Sequence, residues 1–342
     1  MNIDNFEKVK EKISQLLSVG CCDSAETVCS LYLSLLNKVE NRNSVKLCPA
    51  VLELLGDIIF KKGEFRRALT YYKQSSTQKK LGITQSHRGR SNSIDNAIDG
   101  QIRYKECLCH VELKDFTTAI RELEAIPVQL RDLKTNMCMG KLYKSSNLKR
   151  HAISSFTLVI RETPSAVEVI ESLVNLGIES SELLSLLDES CKNSPDATLY
   201  SDGWIQSLAT CLLQKRNYDH DKCEMKLQNL MKQYPKNMYL LLQMAKNSLN
   251  AEKFDDSLSY FKQIRKVDPF YIDYLDQYGL LLVQISDEIE LNKLAHDILG
   301  LSNEKPIGWL LVAMYCDFKG DSEKAMQFVE KVGSILYLLY YD

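Results

Sequence analysis

The residue groups in this chain that could bind a metal are short and poorly spaced. Cys107 and Cys109 are two residues apart, so on a helix their side chains point about 200° apart and cannot hold one ion. The triplet Asp219-His220-Asp221 carries ligand-type side chains, but three consecutive residues are a weak metal signal. We expect the two thiols to pack as small apolar side chains and the triplet to be a solvated turn.

The sequence also lacks the motifs that usually mark an enzyme. It contains no glycine-rich phosphate loop, no Gly-x-Ser-x-Gly elbow and no His-Glu-x-x-His pair. Its acidic residues are scattered over amphipathic segments and form no recognisable pair. We therefore predict no catalytic residue, no metal, no cofactor and no small-molecule substrate.

One surface pattern predicts recognition of a partner. Lys134, Met137, Lys141 and Lys144 are three or four residues apart, which places them on one face of a helix. This basic stripe suits an acidic or carboxylate-ended peptide. Asn175, on the next helix pair, is expected beside Lys141 and completes the candidate peptide-binding set. The alternative is an ordinary solvated helix face.

A polar segment, residues 81–99, has no apolar periodicity and predicts a flexible loop. It is basic at residues 87–90, and Arg90 stands three residues before Ser93. Ser91 and Ser93 are therefore candidate phosphorylation sites.

The helices that carry these residues follow a repeated pattern. The fourth repeat shows it most fully, with signature residues Asn136, Met139, Gly140, Tyr143, Ala152, Phe156 and Pro164. These positions match the helix-turn-helix tetratricopeptide repeat, whose period is about 34 residues. Small residues let the two helices cross closely, and the proline ends the second helix. The pattern recurs along the chain and predicts an all-α superhelical solenoid of about nine antiparallel helix pairs.

The repeats divide the chain into five predicted segments. They are an N-terminal helix pair (1–45), a repeat (46–80), the flexible polar loop (81–99), a repeat array (100–332) and an atypical apolar C-terminal tail (333–342). We expect the first segment to mediate dimerisation. Repeat arrays normally finish with a polar helix, so the apolar tail suggests a dimer contact, a partner contact or a shortened chain.

Composition supports a helical protein. The 342 residues are 45% hydrophobic and 26% charged, with only 7 Pro and 14 Gly, which favours long helices over a turn-rich β fold. The net charge of −2 predicts no general attraction to nucleic acid or to an anionic membrane. The 11 Cys fall within helical patterns and are expected to be reduced. The predicted location is the nucleus and the cytoplasm.

Several segments resemble one known family. They are residues 72–80 (YKQSSTQKK), 119–127 (AIRELEAIP), 131–144 (RDLKTNMCMGKLYK), 267–270 (VDPF) and 276–281 (DQYGLL). Together with the position of the polar insert, they make residues 50–332 similar to the subunit 7 family of the anaphase-promoting complex. The resemblance implies a tetratricopeptide fold.

It also implies a non-catalytic scaffold subunit of this multi-subunit ubiquitin ligase, which controls mitotic progression and exit. The partners implied are a second copy of the chain, other tetratricopeptide subunits of the complex, and coactivator proteins. Family members continue through several more repeats beyond the point where this chain ends.

Two other functions stay open from the sequence. One is a stand-alone adaptor that binds an acidic peptide through the basic stripe. The other is the regulatory part of an enzyme whose catalytic domain lies in a partner.

Overall fold

A computed structural model describes the backbone of residues 6–38, 42–86, 93–195, 197–301 and 303–341. Within these ranges, side chains are described except at residues 42–46, 81–86, 93–98, 197 and 338–341. The chain divides within one helix into two compact units, Met1–Val169 and Ile170–Asp342.

The described residues form nine antiparallel α-helical pairs, which confirms the predicted fold class. Each pair has a first and a second helix. Their bounds are α1 Phe6–Ser18, α2 Cys22–Lys38, α3 Arg42–Lys61, α4 Phe65–Ser86, α5 Ser93–Glu112, α6 Phe116–Glu124, α7 Leu133–Ser145, α8 Lys149–Glu162, α9 Val167–Leu176, α10 Ser180–Asn193, α11 Trp204–Arg216, α12 His220–Gln233, α13 Met238–Asn250, α14 Phe254–Val267, α15 Leu275–Gln284, α16 Glu288–Leu301, α17 Pro306–Phe318 and α18 Ser322–Tyr341. Two short 3₁₀ turns, Val128–Leu130 and Ala197–Tyr200, lie between pairs.

The same turn joins the two helices of every pair. A residue with positive φ ends the first helix, and the N–H of the following residue donates to a carbonyl five residues back, as Leu148 does to Tyr143 at 2.8 Å. This is the Schellman ending, which satisfies the last carbonyls of a helix. The nine turn residues are Gly20, Gly63, Lys114, Asn147, Gly177, Tyr218, Glu252, Ser286 and Gly320.

Small residues set the spacing within pairs, as the sequence predicts. A Cβ added at Gly140 would lie 2.4 Å from Cε1 of Phe156, and one at Gly56 would lie 2.5 Å from Cε1 of Tyr72. The two helices of these pairs therefore approach so closely that an aromatic ring occupies the place of a side chain. The tyrosine hydroxyl also donates to the Asp57 carboxylate at 2.8 Å.

The polar loop predicted over residues 81–99 is wrong for most of its length. Helix α4 continues to Ser86 and α5 begins at Ser93, while residues 87–92 lie outside the described residues. The junction is held by polar contacts, since Ser76 donates to Asp99 at 3.3 Å and Arg103 donates to Asp99 at 3.1 Å. Polar contacts of this kind leave no apolar periodicity in the sequence.

Two predicted segment boundaries also differ from the structure. Helix α3 begins at Arg42, so the predicted boundary at residue 45 falls within that helix. The predicted C-terminal tail is not a separate segment, because α18 continues through it to Tyr341. Among the described residues, none of the helices has the length and apolar character needed to cross a bilayer.

Candidate protein-binding surfaces

The predicted basic stripe lies on α7, which begins at a well-formed cap. The Asp132 carboxylate accepts from the Thr135 N–H at 2.9 Å and from its hydroxyl at 2.6 Å, which satisfies the free N–H groups at the helix start. Lys134, Lys141 and Lys144 are exposed, and Met137 between them is half-buried. The structure therefore brings these four residues to one face.

The ion pair that Lys141 of this stripe forms is weak. Lys141 Nζ lies 4.0 Å from a carboxylate oxygen of Glu168, and both side chains are more than half exposed. Exposed pairs of this kind contribute about 0–1 kcal/mol. Asn175 belongs to the second compact unit, so its proximity to Lys141 stays a prediction.

The candidate phosphorylation sites cannot be placed in the same way. Ser91 lies outside the described residues. Ser93 begins α5, and its side chain is not described. Modification of either serine stays a prediction.

The residues first considered as metal ligands have other partners. Asp219 accepts from Lys222 at 2.6 Å, and His220 Nδ1 lies 3.1 Å from Asn247 Oδ1. Asp221 accepts from Lys253 at 3.4 Å. Within the part of the chain that the structure describes, no group of three or more His, Cys, Asp or Glu side chains is arranged to hold an ion.

The two neighbouring cysteines are packed thiols. Cys107 and Cys109 are fully buried, in agreement with the predicted packing. A hydrogen bond with the Cys138 thiol, together with burial, raises the pKa of Cys107. Burial raises the pKa of Cys109 to about 12. Both are therefore neutral at physiological pH.

The second compact unit contains a polar cluster that the sequence did not predict. Three consecutive first helices contribute to it: Glu171 from α9, Lys215 from α11, and Tyr239 and Gln243 from α13. Glu171 accepts hydrogen bonds from the Tyr239 hydroxyl and, at 3.2 Å, from the Gln243 amide. The Gln243 carbonyl oxygen accepts from Lys215 Nζ at 3.3 Å.

A second lysine extends this cluster toward the next pair. Lys246 Nζ lies 3.2 Å from the centroid of the Tyr274 ring, immediately before α15, at a cation–π distance. We name the six residues Glu171, Lys215, Tyr239, Gln243, Lys246 and Tyr274 the lysine-pair cluster.

The two lysines of this cluster lack ion-pair partners. Among the described residues, neither Lys215 nor Lys246 has a carboxylate oxygen within 4.0 Å. Burial, followed by repulsion from Lys246, lowers the pKa of Lys215 to about 8. Burial also lowers the pKa of Lys246, although Glu171 and Asp273 partly oppose the shift.

In the first compact unit, the half-buried Lys105 has carboxylate partners. Lys105 Nζ donates to Glu53 and to Asp57, each at 2.8 Å. Although burial opposes it, these two carboxylates raise the pKa of Lys105. Lys105 is therefore ion-paired within the protein, whereas Lys215 and Lys246 have no carboxylate oxygen within 4.0 Å among the described residues.

Residues of the cluster and residues of the stripe on α7 occupy the same positions relative to the turns of their own pairs. Lys141, Glu171 and Lys246 each lie six residues before the turn residue of their own pair. Lys144 and Lys215 each lie three residues before it. Aligning the repeats on their turns would have shown these shared positions, but most of the turn residues are not glycine, so the sequence alone does not mark them.

These features define the class of protein. The chain has a tetratricopeptide-repeat fold, built from helix pairs with small crossing residues and a common turn. Among solved structures, the crystal structure of the APC/C hetero-tetramer Cut9-Hcn1 superposes with a TM-score of 0.57 and 17% sequence identity, covering 96% of this chain and 59% of that chain. At this identity the match supports the fold.

Similarity to particular proteins comes from sequence. The chain is 29% identical over 346 residues to anaphase-promoting complex subunit 7 of Arabidopsis thaliana, covering 95% of this chain and 61% of that protein. It is 26% identical to subunit 7 of Dictyostelium discoideum, covering 97% of this chain and 59% of that protein. These matches confirm the resemblance predicted from the sequence. The chain spans about 60% of the length of these relatives, and no protein-family model matches it.

Proposed function

We propose that this protein is a non-catalytic scaffold subunit of the anaphase-promoting complex, the ubiquitin ligase that controls mitotic progression and exit. The observation that carries the proposal is similarity to subunit 7 proteins over 95% of the chain. The fold supports it, because a stack of helix pairs offers extended surfaces for other proteins. The partners are other tetratricopeptide subunits of that complex and its coactivators, and the locations are the nucleus and the cytoplasm.

The test of this proposal is affinity purification of the tagged chain from mitotic cells, followed by quantitative mass spectrometry. We expect the subunits of the anaphase-promoting complex to be recovered in constant ratio to the tagged chain. Recovery of the chain without them would contradict the proposal. Imaging of the same tagged chain tests its presence in the nucleus and the cytoplasm.

We also propose that the protein forms a homodimer through its N-terminal helix pair. Leu31 and Leu35 are four residues apart on α2 and are 57% and 36% exposed, so they form an apolar face. Complete burial of a fully exposed leucine contributes about 1.5–3 kcal/mol, so each of these partly exposed side chains would contribute less. These exposed leucines support the proposal, because apolar side chains of this kind suit a surface on which two copies of a chain associate.

Light scattering on the purified chain tests the homodimer. We expect a dimer at micromolar concentration, and we expect Leu31→Glu to convert it to a monomer. Leu280→Glu is the matched control, because Leu280 is also 57% exposed but lies on α15. A wild-type monomer, or equal dissociation by both variants, would remove the proposal.

The second candidate function is a stand-alone adaptor that binds an acidic or carboxylate-ended peptide through the stripe on α7. The exposure of Lys134, Lys141 and Lys144 on one face favours it. Charge reversal in Lys141→Glu should then abolish binding of an acidic peptide by the first compact unit. Unchanged binding would exclude the stripe as the site.

A further inference from the structure

The lysine-pair cluster differs from the site of Lys105 because, among the described residues, neither of its two ammonium groups has a carboxylate oxygen within 4.0 Å. Its two ammonium groups belong to first helices of the second compact unit. The Lys215 ammonium group contacts Gln243, and the Lys246 ammonium group contacts the Tyr274 ring. Taking a charge out of water is costly unless an opposite charge compensates it. The nearest carboxylate of the cluster, Glu171, is occupied by Tyr239 and Gln243.

We propose that Lys215 and Lys246 form a binding site for a carboxylate of an acidic peptide segment in a partner protein. This site is separate from the stripe on α7, and it does not depend on the function proposed above. Both lysine residues remain partly accessible to solvent. A carboxylate has two oxygens, and each of them can accept hydrogen bonds from ammonium groups.

The chemistry of the cluster favours a peptide over a free anion. Tyr274 is 38% exposed beside Lys246, so it offers an aromatic surface next to the charged site. The residues come from successive first helices, which suits an extended peptide crossing several pairs. Glu171 gives the site a resident negative charge, and this charge competes with the incoming carboxylate.

Fluorescence anisotropy on the full chain tests the site. The probe is a fluorescein-labelled peptide of alternating Glu and Ala, with a Gln-for-Glu peptide as the neutral comparison. A third peptide with phosphoserine in place of Glu distinguishes carboxylate from phosphate. We expect the Glu peptide to bind and the Gln peptide not to bind.

Substitutions of the two lysines test the site more directly than the comparison of peptides. Lys215→Met and Lys246→Met should each weaken binding of the Glu peptide by roughly 10- to 100-fold, since each removes a charge-assisted hydrogen bond. Lys262→Met is the matched control, because it removes the same charge from an exposed position on the second helix α14. Its affinity should equal that of the wild type.

A substitution that should strengthen peptide binding distinguishes an effect on the binding site from structural damage. Glu171→Gln keeps an acceptor for Tyr239 but removes the competing charge, so it should tighten binding of the Glu peptide by roughly 3- to 10-fold. The thermal midpoint of Lys215→Met should not fall, because the variant removes a half-buried cation that has no ion pair. A loss of binding accompanied by a lower midpoint would overturn the assignment.

Three other outcomes would also overturn it. They are the absence of Glu-peptide binding at millimolar concentration, equal weakening by Lys262→Met, and binding of the phosphoserine peptide without binding of the Glu peptide.

Discussion

The tight crossing of α7 and α8 at Gly140 predicts a specific local weakness. In Gly140→Ala, the new Cβ would lie 2.4, 2.6 and 2.9 Å from three atoms of the Phe156 ring. Favourable carbon contacts are at about 3.5–4.0 Å, so the ring or the helix must move by more than about 1 Å. Overpacking of this kind costs about 1–3 kcal/mol.

The matched control is Gly100→Ala in the same compact unit. Among the side chains that the structure describes, its new Cβ would contact Ile126 alone, at an ordinary 3.5 Å. Both substitutions gain helix propensity of about 1 kcal/mol, so this gain cancels when the variants are compared. Ala245 holds the position equivalent to Gly140 in the seventh pair. We therefore expect local loosening of the fourth pair and not loss of the fold.

Hydrogen exchange with mass spectrometry measures this loosening, because repeat proteins open locally. A difference of about 1–3 kcal/mol corresponds to exchange roughly 5- to 150-fold faster in peptides from α7 and α8. Gly100→Ala should show no such acceleration in α5. Phe156→Leu should reduce the effect of Gly140→Ala, because the two positions are in contact. Equal exchange in the two alanine variants would refute the reasoning.

Three further predictions concern single side chains. Lys114→Gly should stabilise the third pair by about 1 kcal/mol in urea unfolding, because Lys114 has a left-handed φ of 60°; a lower midpoint would contradict this. Cys21 is exposed, whereas Cys29 is buried with its pKa raised to about 12 by burial, so iodoacetamide should alkylate Cys21 in the native protein and Cys29 only after unfolding. The Lys215 side chain faces Glu171, Lys246 and Cys223, and it should titrate near pH 8 in NMR of methylated lysines. In the unfolded state the pKa of a lysine is about 10.4. The unfolded state therefore binds more protons between these values, and the stability of the wild type should rise toward that of Lys215→Met as pH increases from 8 to 10. A constant difference would contradict the lowered pKa.

The fold was predictable because helix crossing leaves a local signature. Gly140 and Phe156 stand at fixed spacing within one repeat, and the ring fills the place of the missing side chain. The junction near Asp99 was not predictable, because the contacts described there are hydrogen bonds to the Asp99 carboxylate, one from Ser76 on α4 and one from Arg103 on α5 itself. An apolar periodicity records burial and does not record such polar contacts.

The two candidate surfaces also differ in whether the sequence predicts them. The stripe from Lys134 to Lys144 lies on one helix, so its spacing alone predicts a common face. The lysine-pair cluster joins Glu171 to Tyr239 across 68 positions of sequence. Its assembly depends on the register of successive pairs, and that register is set by turns such as the one at Tyr218, where a non-glycine residue adopts positive φ.

Quantitative co-purification tests the central claim most directly. The tagged chain should be isolated from cells arrested in mitosis, with a tagged Gly100→Ala variant as a structurally neutral control. The account predicts that both recover the subunits of the anaphase-promoting complex in constant proportion to the tagged chain. Recovery of the folded chain free of those subunits would contradict it.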